Sequence, residues 1–134
     1  MHSRLSTKEQ RYLVGARVCR IASVDPNGGT HVAPLCHAFD PSSRTVYVWT
    51  DGRTARNLRR RRRGALACDD YFEDWDRLRG LVAHVRGRAV RGGRELAHAR
   101  QLLKRKFTQY RRYEDEDIEW VIGLRVERVK SWGL

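Results

Sequence analysis

Long apolar runs are missing from this 134-residue sequence, and so are paired-cysteine motifs, internal repeats and low-complexity linkers. No segment approaches the length needed to span a bilayer, and no charged-then-apolar leader opens the chain. The expectation is a cytoplasmic protein with no membrane partner. There are three cysteines, Cys19, Cys36 and Cys68, without CxxC spacing. Their odd number argues against a disulfide framework. Each sits in an apolar segment, so all three read as reduced thiols packed as small apolar side chains. His31 and His37 flank Cys36 without a fourth ligand at sensible spacing, which leaves no metal site. Lysine is scarce as well: only 4 of the 28 basic residues are Lys, and the remaining Arg outweigh 16 acids to give a net charge of +12. That surplus attracts anions in general, whether nucleic acid, acidic lipid or phosphorylated small molecules, without choosing among them.

What is there reads as one domain over residues 1–134, long enough for a real core. Ser6 with Glu9 three residues on is a capping-box pattern, opening a helix to about Ala16 with Leu5, Tyr12, Leu13 and Ala16 on its apolar side. The β-branched stretch RVCRIASVD ends in the turn signal DPNGG. THVAPLCHAFD follows as a second strand, PSSR as a turn, and TVYVWTD as a third strand. GRTARNLRRRRR spells a short helix anchored by Ala55 and Leu58. GALACDDYF is a fourth strand and EDWDRLRG a loop; LVAHVRGRAVR is a fifth strand with a bulge or bend expected at Gly87. The amphipathic helix runs over GGRELAHARQLLKRKFTQYRRY, and the acidic EDEDIE joins it to the last strand, WVIGLRVERVKSWGL. Six strands, mostly hairpin-linked, point to a mainly β architecture, a small antiparallel barrel with flanking helices, one of them covering an open edge.

Between Arg53 and Arg63 seven arginines occupy eleven positions. The tight turn Asp51-Gly52 opening a helix presents unpaired backbone N–H groups and a positive dipole end, an anion site in itself. Arg53 and Arg56, one turn apart, add planar forks suited to phosphate oxygens. Arg59–Arg63 spread around the whole helix end, where cations meet the negative pole as a solvated cluster. The sharper alternative is that part of this run steers a polyanionic cofactor tail.

The segments ARVCRIASVDPNGGTHVAPLCHAFD and VYVWTDGRTARNLRRRRRGALACDD, in that order, resemble the pyridoxamine 5′-phosphate oxidase-like split-barrel family. DYFEDWDRL and VRGRA are similar to its subgroup dependent on the deazaflavin coenzyme F-420, and the resemblance covers roughly Arg11 to Trp132. It implies a homodimer of six-stranded antiparallel split β-barrels with FMN or coenzyme F-420 in a groove at the subunit interface. It also implies hydride transfer to or from an unidentified small molecule. The positions matching the family's phosphate-holding strand end and basic turn are Trp49, Thr50, Asp51, Arg53, Thr54, Arg56 and Asn57. Val32, Ala33, Pro34 and Leu35 match the strand that runs beside the ring system and offers it main-chain groups. The chain departs from the pattern at Thr54, where many relatives carry Lys, and at Arg61 and Arg62, where the helix often ends in Asp-Pro. The residues an oxidase of vitamin B6 synthesis needs for its substrate phosphate are not found near the C-terminus.

No nucleophile or triad stands out, which suits a flavin-type ring that carries the electron chemistry itself. Trp49 and Trp132 are the aromatic candidates to lie near the cofactor. Asp69, Asp70, Glu73, Asp74 and Asp76 read as a loop that balances neighbouring arginines. His37 reads as a satisfied strand histidine, the alternative being a proton donor to substrate. Two other classes compete with the oxidoreductase. One is a nucleic-acid-binding basic barrel, against which stands the lack of an aromatic–basic single-strand pattern. The other is a split barrel that holds flavin or haem without turnover.

Overall fold

The computed structural model describes residues 1–117 and 120–134; Ile118 and Glu119, the end of the acidic joint, lie outside the described residues. Helix α1 (Thr7–Gly15) leads into strands β1 (Val18–Val24), β2 (Thr30–Cys36), β3 (Ala38–Asp40) and β4 (Thr45–Trp49). Helix α2 (Arg53–Arg61), strands β5 (Arg63–Asp70) and β6 (Arg79–Val90), helix α3 (Gly93–Lys106) and strand β7 (Val121–Trp132) complete the order. The strands form one antiparallel sheet ordered β2-β1-β5-β6-β7-β4-β3.

Seven strands are found among the described residues where six are expected, because 30–40 breaks at His37. Its backbone N–H donates to the Arg17 carbonyl at 3.2 Å and its Nε2–H to the Leu13 carbonyl at 2.9 Å, so the residue turns toward α1 and out of the ladder. The break is what curls the sheet into a split barrel: β2 and β3 are its opposite edges, yet they are consecutive in sequence.

The capping box forms as the sequence predicts. Ser6 Oγ accepts from the Glu9 N–H at 3.1 Å, and the Glu9 carboxylate accepts from the Ser6 N–H at 2.8 Å. Glu9 is also buried, and its second oxygen accepts from Ser131 Oγ at 2.7 Å, tying α1 to the end of β7.

Alternation divides the apolar residues between two cores. Cys19, Ile21, Val46, Val48, Leu66, Leu81, Ile122 and Leu124 fill the barrel, with Leu13 and Leu58 closing it from the helices. Tyr47 and Val121 point the other way and meet Leu96, Ala99 and Leu103 of α3, which lies on the β3–β4 edge. That edge is therefore covered. The amphipathic run ends as an α-helix at Lys106, earlier than its periodicity suggests. Phe107 is extended there to bury its ring, and residues Thr108–Arg112 continue as a 3₁₀ turn.

The bulge also falls elsewhere than expected, between His84 and Val85. Gly87 serves close packing instead. A Cβ on it would stand 3.0 Å from Leu58 Cβ and 3.2 Å from Leu124 Cδ2, so only glycine lets α2 lie this near the barrel.

Candidate anion-binding cleft

Helix α2 rests on β1, β2 and β6 through its buried residues Thr54, Ala55, Asn57 and Leu58. The β1–β2 hairpin supplies its anchor. In the turn after Val24, the Asp25 N–H donates to the Gly29 carbonyl at 2.8 Å and the Gly28 N–H to the Asp25 carbonyl at 2.9 Å. Gly28 takes φ 88°, a left-handed conformation glycine adopts without a steric cost. This turn sets the nearly buried Asp25 carboxylate against the start of α2.

Arg53 meets it as a fork: Nε donates to Oδ1 at 2.8 Å and Nη2 donates to Oδ2. Asn57 Nδ2 adds a donor to Asp25 Oδ1 at 2.9 Å and another to Ser23 Oγ at 3.1 Å. Hydrogen bonds from Arg53 first, and then Asn57, hold the Asp25 carboxyl down at about 2, so it is ionised at any physiological pH.

The first turn of α2 contains no acid of its own. Gly52 is the N-cap, with no side-chain cap and no acid in the first turn, so the first N–H groups of α2 remain available. Beside them is an open cleft of about 900 Å³ lined by Asp25, Asn27, Arg53, Arg56, Arg60 and Arg91, among others. Arg56 and Arg60 project from one side of α2, one turn apart. Arg91 arrives from the junction of β6 and α3. Among the described residues Arg56, Arg60 and Arg91 have no ion-pair or hydrogen-bond partner for their guanidinium groups.

Arg59, Arg61 and Arg62 of the run have other places in the fold. Arg59 stacks over the Trp120 ring at 4.3 Å, and Arg61 Nη2 donates to the Pro26 carbonyl at 2.9 Å. Arg62 ends the helix in a left-handed cap at φ 61°, its carbonyl accepting from the Gly87 N–H at 2.6 Å. Of the five consecutive arginines, Arg59 to Arg62 thus do four different things, and Arg63 opens β5.

The structure brings only some of the sequence-derived positions together. Arg53, Arg56 and Asn57 line the cleft, and Thr54 lies buried beneath it. Val32, Ala33, Pro34 and Leu35 lie on β2, an edge strand under α2 whose outer side pairs with no strand of this chain; Val32 is 62% exposed. Trp49, Thr50 and Asp51 part company with the arginines. The Trp49 ring packs edge-on against Tyr110 and Tyr113, each at 5.1 Å, in the α3 core. Thr50 N–H donates to the Trp120 carbonyl at 3.0 Å, and Asp51 faces a separate hollow with Glu116, Asp117 and Trp120. Trp132 lies over Gly80 at the β6–β7 end.

His37 is fully buried, its Nε2–H on the Leu13 carbonyl and its Nδ1 without a partner, and burial pulls it down to about 4. It is a neutral core residue. Asp25, Ser23 and Arg91 were not singled out in the sequence. Asp25 sits inside a turn signature that explains it locally, and nothing local links Arg91 to α2.

One further surface bears on the site. The outward side of β2-β1-β5-β6 carries Val32, Ala22, Ala65, Ala67 and Val82 in adjacent register positions, and among the described residues no helix covers it.

Solved structures share this arrangement. A conserved hypothetical protein of Mycobacterium tuberculosis matches with TM-score 0.79 and 21% identity over 97% of this chain and 86% of that one. The haem storage protein HutZ of Vibrio cholerae matches at 0.74 and 14%, covering 95% and 94%. An FAD-binding protein of Mesorhizobium loti matches at 0.73 and 20%, covering 98% and 97%. At these identities the likeness is one of fold. No protein of curated function matches the sequence. Residues 6–133 match the family model described as Pyridoxamine 5′-phosphate oxidase, and with nearly its whole length matched the chain belongs to that family.

Proposed function

We propose that the chain binds a phosphate-bearing flavin-type cofactor, FMN or coenzyme F-420, in the α2 cleft and works as a homodimeric oxidoreductase on an unidentified small molecule. One observation carries this reading: three guanidinium groups without a partner among the described residues, Arg56, Arg60 and Arg91, line one cleft along α2, a helix whose start has no side-chain cap. A phosphate there gains charge-assisted hydrogen bonds together with the helix dipole. Asp25, Arg53 and Asn57 act as a brace that fixes the helix start, and Arg53 is a positioning residue in it. The free edge of β2 offers main-chain N–H and C=O groups to orient a ring. The uncovered alanine- and valine-rich face suits a second copy of the chain, which excludes water from the groove. When bound, the cofactor's ring supplies hydride transfer, and the protein orients and shields it.

The test is titration of the purified protein with FMN and with F-420, followed by absorbance and fluorescence. Saturable spectral change, weakened in Arg56→Ala and Arg91→Ala, supports the reading; no change with either compound ends it. Turnover with the reduced cofactor separates an enzyme from a carrier. A second reading, haem binding without turnover, is favoured by the exposed His84, opposite Ala65 on the same uncovered face. A Soret shift with haemin that is lost in His84→Ala supports that alternative.

A further inference from the structure

Two of the three cysteines are placed together by strand register. Arg20 lies opposite Ala67 and Ile21 opposite Leu66, so one step further along the same β1–β5 register sets Cys19 opposite Cys68. Both side chains alternate into the barrel, where Cys19 is 0% and Cys68 1% exposed, and both belong to the same core cluster. Directly opposed residues of antiparallel strands have Cα atoms about 4.5 or 5.5 Å apart. Either spacing falls within the roughly 4.4–6.8 Å that a disulfide spans. Cys36 is excluded by the same logic: it pairs with Val18, on the opposite face of the sheet from Cys19.

The pair has a chemical asymmetry and adjoins a surface cavity. Contact with the Cys19 thiol, against the opposing effect of burial, holds the Cys68 thiol below the usual range, and the cations Lys106 and Arg20 add to this. Lys106 is anchored nearby, its amine donating to the Ala16 carbonyl. Cys68 also lines an open cavity of about 690 Å³ that includes Arg11, Tyr12 and Arg79. Among the described residues no group of three or more His, Cys, Asp or Glu is arranged to hold a metal ion.

We propose that Cys19 and Cys68 form a redox-active dithiol that closes to a disulfide when the protein meets hydrogen peroxide. The Cys68 thiolate attacks one peroxide oxygen, the O–O bond breaks, and the departing hydroxide takes up a proton as water, leaving a sulfenic acid. The Cys19 sulfur then attacks the Cys68 sulfur, forming the S–S bond and releasing a second water. Two thiols lose two electrons and two protons, and one peroxide is reduced to two waters. The bond staples β1 to β5 in the strand pair whose other end carries Ser23 and Asp25, the supports of α2.

The experiment uses the reduced full-length chain, exposed to peroxide, quenched with catalase, then unfolded in N-ethylmaleimide. Untreated protein takes three adducts, one per free cysteine. Treated protein is expected to take one, on Cys36, and to yield a linked Cys19–Cys68 peptide that dithiothreitol reopens. Cys36→Ser is expected to lose both remaining adducts. Persistence of all three adducts in treated wild-type protein, or a bridge that includes Cys36, overturns the proposal.

Discussion

Two arginine-rich regions of this barrel differ in a single respect. Near the β5–β6 turn, Arg20 pairs with Asp69 at 3.0 Å and Arg79 with Asp70 at 2.7 Å, so the charge is spent within the fold. Beside α2 one carboxylate, Asp25, is taken by Arg53, while Arg56, Arg60 and Arg91 line one cleft without a partner among the described residues. Exposed pairs of the first kind contribute about 0–1 kcal/mol and attract little. Unpaired guanidinium groups lining one cleft along a helix with an uncapped start are what the proposed anion site rests on. Net charge alone does not distinguish the two; pairing does.

The comparison breaks most sharply under charge reversal. Arg56→Glu combined with Arg91→Glu is expected to weaken cofactor binding about 100-fold or more, the loss of two charge-assisted hydrogen bonds. Arg20→Ala and Arg79→Ala are expected to change it by less than about twofold. Isothermal titration of each protein with the cofactor that binds decides, and equal losses from both regions would sink the assignment. Next in size is Arg53→Ala. It strips Asp25 of its fork and loosens the start of α2, so affinity falls about tenfold and the thermal midpoint drops. Arg61→Ala, whose partner is only the exposed Pro26 carbonyl, is expected to leave both nearly unchanged.

Ionic strength sharpens the same contrast. Affinity for a phosphate-bearing ligand falls as salt rises, because an open cleft is screened over about a Debye length; a flat response removes the arginines from the binding step. The smallest effect is on stability against pH. The buried His37 has an ordinary value of 6.5 and a folded value of about 4, so the unfolded chain takes up that proton first. Its contribution is full above pH 6.5 and lost as the pH falls through 4. Asp25, lowered from 3.8 to about 2, adds a second loss as the pH falls from 3.8 through 2. Thermal midpoints measured from pH 8 downward show both descents, and His37→Gln is expected to lack the first.

Much of the fold was legible because it is carried by near neighbours. The capping box at Ser6 and Glu9, the hairpin turn at Asp25–Gly29 and the short helix after Gly52 rest on interactions within a few residues. Alternation in Thr45–Trp49 puts Val46 and Val48 on one face and Tyr47 and Trp49 on the other, and the docking of α3 makes these faces parts of two cores. The strand break at His37 was not legible. Its cause is a carbonyl on α1 that only the folded chain brings near. The fork of Arg53 onto Asp25 was hidden for the same reason, since local spacing showed two arginines on one helix and no hint that a distant turn claims one of them.

By itself, then, the sequence determined most of the elements, their order and the excess of positive charge on α2, because periodicity, caps and turn residues act over short distances. Only the tertiary structure decided which cations remain free, which edge strands meet through His37, and that Cys19 faces Cys68. Those outcomes depend on strand register and helix docking, which bring together side chains far apart in the chain.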